Sequence, residues 1–328
     1  MSILVTGNAG LIGARFCDWL IENTNHQVIG IDDLSGGYRE NIKPEIIFIN
    51  KSLLEDLTGI FDEYKPQVIY HFAAYAAEGL SPFIRKYNYE NNLIASVNLI
   101  NNAIKFGVKR FVFTSSMAVY GEVNNPPFSE SDPTVPIDPY GIAKLAVEQD
   151  LKVAKDQHDL NYTIIRPHNF YGSKQNIWDR YRNVLGIWMN QIINGQQPTI
   201  FGTGEQRRAF SCIDDALIPL WNASQRESCI GEIINLGGAE DTSILDACLT
   251  LLEVTGSNLE PIFLQSRHEA KNAFSTWQKS VDFLDFEHKT TLKNGLSMMW
   301  EWAKEQPTRP QFTWDKYELD KQLYDYWK

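Results

Sequence analysis

A chain of 328 residues with a formal net charge of −11 is long enough for a large core split over two lobes and too acidic for nonspecific attraction to nucleic acid or an anionic membrane. Hydrophobic residues make up 43%, ordinary for a globular protein, and no apolar run reaches the roughly 18 residues of a membrane span. The four cysteines, Cys17, Cys212, Cys229 and Cys248, lack metal-ligand spacing, so no metal site is expected and they suit reduced core thiols in a cytoplasmic protein with no signal peptide.

The apolar run at residues 3–5 predicts a buried parallel strand. Gly7, Gly10 and Gly13 follow at spacing three, and residues 14–21 carry an apolar stripe at helical spacing. Strand, glycine turn and helix together make a phosphate site. The glycines permit a tight turn and let backbone N–H groups approach a pyrophosphate at the helix N-terminus. A second strand at residues 28–31 ends in Asp32 and Asp33. An acid about 20 residues past the glycines is placed for the hydroxyls of an adenosine ribose. A carboxylate there repels a 2′-phosphate, so the expected cofactor is NAD, not NADP.

Further strands are expected near Ile46, Val68, Phe111 and Ile164, with helices between them. This alternation predicts an α/β fold of Rossmann type, a doubly wound parallel sheet. Ligands of such sheets lie in the crevice at the carboxyl ends of the strands, where Gly7, Asp32, Phe72, Ser116 and Asn169 all fall. Asp138 is a good N-cap and Pro139 suits the first helical position, so a helix opens there. Tyr140 and Lys144, four apart, share one face of it. A phenol is a poor base near neutral pH, but a nearby cation favours the phenolate. Such a tyrosine could take the proton of a sugar hydroxyl.

Beyond Gly172 the pattern loosens into a smaller, interleaved α/β substrate lobe. Residues 233–237 read as a strand returning to the main sheet. The expected organisation is a cofactor domain over residues 1–172, with return segments near 211–240, and a mainly substrate-binding lobe over 173–328. Leu93, Val97, Ile100 and Ile104 form one apolar helical stripe; Val147, Leu151 and Ala154 form another. Each faces either its own sheet, which amphipathicity alone explains, or a partner. In the tail, Glu318, Leu319, Gln322, Leu323 and Tyr326 have the spacing of a helix packed on its own chain.

Taken in order, the glycine turn, Asp32 and the Tyr140–Lys144 pair resemble the extended short-chain dehydrogenase/reductases. Within them the chain is similar to the NAD-dependent sugar-nucleotide epimerase/dehydratase family, of the UDP-glucose 4-epimerase type, from Met1 to about Leu296. Thr114-Ser115-Ser116-Met117-Ala118-Val119-Tyr120-Gly121 matches the family's Ser-Ser-x-x-Val-Tyr-Gly strand end. The resemblance makes Ser116 the hydroxyl on the reacting sugar oxygen and Tyr140 the catalytic acid/base. Lys144 then lowers the pKa of Tyr140 and holds the nicotinamide ribose. The same resemblance implies cofactor contacts from Leu11 and Ile12 in the glycine turn and from Asp33. It adds Phe72, Ala73 and Ala74 after His71, Asn92 bracing the active-site backbone, and Pro167.

The sugar-nucleotide side is implied in the same way. Arg166-Pro167-His168-Asn169-Phe170-Tyr171-Gly172 resembles the family's Arg-x-x-Asn-x-Tyr-Gly segment, whose Asn contacts the substrate's phosphate. His168 stands where these epimerases usually have Phe, and it either touches the sugar or packs. Asn183 matches a second substrate-binding Asn, and Arg208 and Arg267 match the arginines that clamp the pyrophosphate. Phe274 falls at a gate beside the C2 substituent, which favours glucose or galactose over their N-acetyl forms. There are departures too. Ser52 stands where an Asp often touches the adenine, Ala76 where a Lys contacts the cofactor, and residues 175–183 differ from the usual loop.

Met117 and Ala118 narrow the implied chemistry. Related 4,6-dehydratases place Asp-Glu there, decarboxylases a Glu at the second position, and 3,5-epimerases a Cys. Neither Met nor Ala can move a proton. What remains is redox chemistry by Ser116, Tyr140 and NAD. One outcome is epimerisation of UDP-glucose and UDP-galactose at C4: hydride transfer to bound NAD, a 4-keto intermediate, rotation and hydride return. The other is a one-way NAD(P)H-dependent reduction of a nucleotide keto sugar. The purely redox site favours the epimerase, an isomerase. A non-catalytic nucleotide sensor would be expected to lose Tyr140 or Lys144, and both are kept. The resemblance also implies a homodimer, paired through the two striped helices.

Overall fold

Six strands follow the alternation read from the sequence: β1 (Ser2–Thr6), β2 (Gln27–Asp32), β3 (Ile47–Asn50), β4 (Val68–His71), β5 (Arg110–Thr114) and β6 (Tyr162–Pro167). They come from a computed structural model, which describes residues 1–122 and 125–328. Ile233–Leu236 joins them in one parallel seven-stranded sheet, in the order Ile233–Leu236, β6, β5, β4, β1, β2, β3. This is a Rossmann-type sheet. The strand order reverses between β4 and β1, and the crevice for a ligand opens at their carboxyl ends.

Alternating side chains feed two cores. Ile3 and Val5 of β1 pack with Phe16, Leu20 and Leu220 under helices Leu11–Asn23 and Ile213–Gln225. Leu4 packs on the other face with Phe111, Phe113 and Leu151, under helices Ala95–Lys105 and Pro139–His158. Both faces are covered, which is why the strands read as continuous apolar runs. Apart from Val97, the two apolar stripes belong to the second core: Val147, Leu151, Ala154 and Ile100 are buried in it, with Leu93 and Ile104 packed against it. They face their own sheet.

A third core, around Trp188, Leu251 and Met299, holds helices Val184–Ile193, Ile244–Thr255 and Leu292–Lys304 together. Beside it, strand Arg207–Ala209 lies between Asp241–Ser243 and Asn272–Ala273. The tail is not the expected helix. It forms only a 3-10 turn, Asp325–Trp327, and Gln322 is left-handed at φ 64°. Long-range anchors outweigh helical spacing here. Leu323 and Trp327 are buried with Tyr75, Phe83 and Tyr181. The Glu318 carboxylate accepts from the backbone N–H groups of Lys86 and Tyr87 at 2.7 and 2.9 Å. No helix among the described residues is long and apolar enough to cross a membrane. The four cysteines are unpaired and buried.

Candidate active site

The crevice is a cavity of about 430 Å³ that runs from Gly7 at the end of β1 to Tyr326 in the tail, within the size range of small-molecule sites. At its cofactor end the glycines differ in role. Gly7 has φ +72°, and a Cβ there would lie 2.7 Å from the Ala73 nitrogen; at Gly13 it would lie 2.2 Å from the Gly7 oxygen. Those two are required by the fold. A Cβ at Gly10 meets nothing closer than 3.5 Å, so the protein itself leaves that space free. Gly10 caps helix Leu11–Asn23 with no side-chain hydrogen bond and no acid in the first turn. The N–H groups of that turn are open to an anion. Leu11, Ile12, Asp33, Phe72, Ala73, Ala74 and Pro167 line the same cavity.

Asp32 sits at the lip, accepting from the N–H groups of Ala9 at 2.9 Å and Leu34 at 2.8 Å. Burial pushes its carboxyl above the usual range. A pyrophosphate cradle followed by this acid fits a dinucleotide with free ribose hydroxyls. Asn92 departs from a direct cofactor contact. It sits in a π-helical turn, Glu90–Ile94, and its side chain takes both polar groups of Tyr75, accepting from N at 2.8 Å and donating to O at 3.1 Å. It holds the loop after β4, while its neighbour Asn91 faces the cavity.

Helix Pro139–His158 starts as its sequence dictates, with the Asp138 carboxylate accepting from Gly141 N at 2.9 Å. Tyr140 and Lys144 then face the cavity beside Ser116, which follows β5. The expected lowering of the phenol by Lys144 is absent from the chain on its own. Burial raises the Tyr140 pKa above its ordinary value, Glu78 and Asp138 add to that, and the facing Ser116 hydroxyl opposes it. The Lys144 ammonium donates to the Thr114 carbonyl at 2.8 Å and lies 5.8 Å from the Tyr140 ring centre. Burial pushes Lys144 down to about 7. One helical turn further, Glu148 accepts two hydrogen bonds from Arg166, at 2.9 and 2.6 Å, and a third from Ser115. This buried network ties helix Pro139–His158 to the ends of β5 and β6. The spacing of Lys144 and Glu148 was visible in the sequence; the partner on β6 was not.

On the substrate side, Asn169 donates to Ala209 O and Asn183 to Phe170 O, both at 2.9 Å, and both residues line the cavity. Arg208 donates to Arg207 O, Lys271 O and Ala270 O at 2.8–3.0 Å. Arg208 and Arg267 share one Glu269 oxygen at 3.5 and 2.9 Å. Burial pushes Glu269 up, but the two guanidiniums prevail and hold it below the usual range.

Two expected substrate residues do not reach this cavity. His168 is fully buried, with Nε2 accepting from Ser275 N at 2.9 Å and meeting Ser275 Oγ at 2.8 Å. Burial pushes it down to about 4, so it packs as a neutral ring behind Pro167. Phe274 uses its carbonyl to accept from Phe128 N at 2.9 Å. Phe274 is not among the residues lining the cavity, and the preceding Ala273 borders a small adjoining pocket. In exchange the cavity gains Glu78, Arg180, Arg182, Phe201 and Tyr326, none of which carries a local motif.

The model of the family described as NAD dependent epimerase/dehydratase matches residues 3–237, and the chain belongs to that family. It is 31% identical over 327 residues to a UDP-glucose 4-epimerase of Halalkalibacterium halodurans, covering 94% of this chain and 97% of that one. A UDP-glucose 4-epimerase from Thermotoga maritima, solved with UDP-glucose, superposes with a TM-score of 0.88 at 32% identity, over 93% of this chain and 99% of that one. A UDP-glucuronic acid 4-epimerase from Bacillus cereus, solved with UDP-glucuronic acid and NAD, gives 0.86 at 29% identity over the same shares.

Proposed function

We propose that the chain is an NAD-dependent 4-epimerase of UDP-sugars that interconverts UDP-glucose and UDP-galactose. The observation that carries this is the meeting of an open glycine cradle, Ser116, Tyr140 and two arginines on one cavity, with no proton-moving side chain at positions 117 and 118. The glycine turn, Asp32, Asp33, Phe72, Ala73, Ala74, Lys144 and Pro167 would hold NAD, which when bound would supply reversible two-electron exchange at the sugar carbon. Tyr140 Oη takes the proton of the C4 hydroxyl as that carbon becomes a carbonyl, and returns it when the alcohol re-forms. Ser116 Oγ donates to the same oxygen and keeps it against the phenol.

Arg208 and Arg267 suit the two phosphates, as guanidinium forks do, with Asn169 and Asn183 beside them. Gripping the pyrophosphate leaves the sugar free to turn and present its other face, which a one-way reductase does not need. In this reading residues 1–172, with 211–240, hold the cofactor, and most of 173–328 holds the substrate. The homodimer implied by resemblance would use the outer sides of the two sheet-packed helices, where Ile94 and Val153 are exposed. A solution mass of one chain at micromolar concentration would refute it. The cytoplasm is the compartment we assign, on the four unpaired thiols.

Proton NMR of the purified protein with UDP-glucose, first alone and then with NAD, tests the activity. UDP-galactose should appear at a catalytic rate without net NADH. No conversion with NAD present overturns the proposal.

A further inference from the structure

We propose that Glu78 sets sugar specificity, admitting a neutral hexose and rejecting a uronate at the reacting end of the cavity. The inference deepens the nucleotide-sugar reading above and rests on it. Glu78 follows β4 on the loop braced by Asn92. It borders both the main cavity and the small pocket that Ala118, Asp138 and Ala273 close behind it; Met117 borders both as well. Its charge is felt at the reacting phenol, where it is the largest influence after burial. Ser81 links the two: its hydroxyl donates to Glu78 O at 2.8 Å and accepts from Tyr140 N at 3.3 Å, so Glu78 stands beside the reacting phenol, on a wall that continues to Asn169, Arg208 and Glu269.

The other charged groups around it are already engaged. Asp138 caps its helix through Gly141 N, and Glu269 pairs with Arg267 and Arg208. Arg208 also donates to three carbonyls. His268 lines only the pocket behind. The Glu78 carboxylate has no hydrogen bond or ion pair among the described residues and is exposed to the cavity; Asp138, Arg208, Glu269 and Arg267 are the charges that act on it. Two free acceptor oxygens suit sugar hydroxyls, which donate. A uronate would set a second carboxylate against the first in a walled space, where like charges disfavour each other. Asp138 and Glu269 add charge of the same sign, and Arg208 and Arg267, bonded elsewhere, offset it only in part. The enclosing protein and then Asp138 push the Glu78 carboxyl up to about 7, so the discrimination belongs to the alkaline side.

Calorimetric affinities of the NAD-loaded protein for UDP-glucose and UDP-glucuronate at pH 8.5, in wild type, E78Q and E78D, test this. Wild type should bind UDP-glucose about 30-fold more tightly or better, and E78Q should narrow that ratio by about tenfold, the effect of one pKa unit. E78D, which keeps the charge, should retain most of the preference. An unchanged ratio in E78Q, or a wild type that prefers the uronate, overturns the role of Glu78. Because binding is read separately from turnover, a preserved ratio shift with no epimerisation would overturn the activity and not the specificity. Binding of neither sugar would sink both.

Discussion

Lys144 donates its ammonium to the carbonyl of Thr114, 2.8 Å away at the end of β5. The lysine is thereby fixed in the cavity wall, buried, with its pKa pushed down to about 7 from 10.5. The unfolded chain then binds more protons than the folded one between those two values, so this group makes stability rise with pH across that window. Thermal melts of cofactor-free protein at pH 7, 8.5 and 10 should show wild type gaining on K144M as pH rises. A gap that widens in the other direction would mean Lys144 is not desolvated as described.

Tyr140 is expected to carry the proton at the reacting oxygen. Y140F should lower kcat by about 10²–10⁴-fold, the usual contribution of a positioned acid/base. Its affinity for NAD and for UDP-glucose should stay close to wild type. Turnover at the wild-type rate would rule out the assigned chemistry.

Arg166 and Glu148 form a nearly inaccessible ion pair, 3% and 1% exposed at their side chains. Removing one partner strands the other charge in the interior. E148A should therefore cost about 3–5 kcal/mol of stability. Joint replacement of Glu148 and Arg166 by methionine should recover part of it. Urea unfolding measures both, and a loss below about 1 kcal/mol in E148A would fit only an exposed pair.

The glycine turn separates folding from binding. G13A places a Cβ 2.2 Å from a backbone oxygen, whereas G10A has ordinary clearance of 3.5 Å. G13A should melt well below wild type. G10A should keep its melting temperature yet bind NAD about tenfold more weakly or worse, because only the ligand needs that space. Equal NAD affinity for G10A and wild type would move the pyrophosphate elsewhere.

The tail should act as a wall of the cavity. Tyr326 lines it, and Trp327 is 3% exposed against Phe83, Tyr181 and Phe201. W327A should cost about 3–5 kcal/mol, as large-to-small changes at buried aromatics do, and should raise KM for the nucleotide sugar. A loss of stability with KM unchanged would leave the tail a structural buttress only.

What the sequence by itself determined lies within short stretches of chain. Six strands, the returning strand Ile233–Leu236, the glycine turn and the cap at Asp138 all follow from local rules: apolar runs for buried strands, glycine where no Cβ fits, a carboxylate before a helix. Tyr140 and Lys144 share a face because helical geometry places them there. Tertiary structure decided everything that depends on distant segments meeting or on water being excluded. It buried His168 against Ser275 and left Phe274 out of the cavity lining, because the pairing of distant segments decides what a side chain meets. It put Glu78 and Met117 on the same cavity walls, joined Arg208 and Arg267 through Glu269, and drew the tail across Phe83 and Phe201 instead of letting it coil. It also set the ionisation of Tyr140 and Lys144, because burial acts on a charge more strongly than a neighbour four residues away.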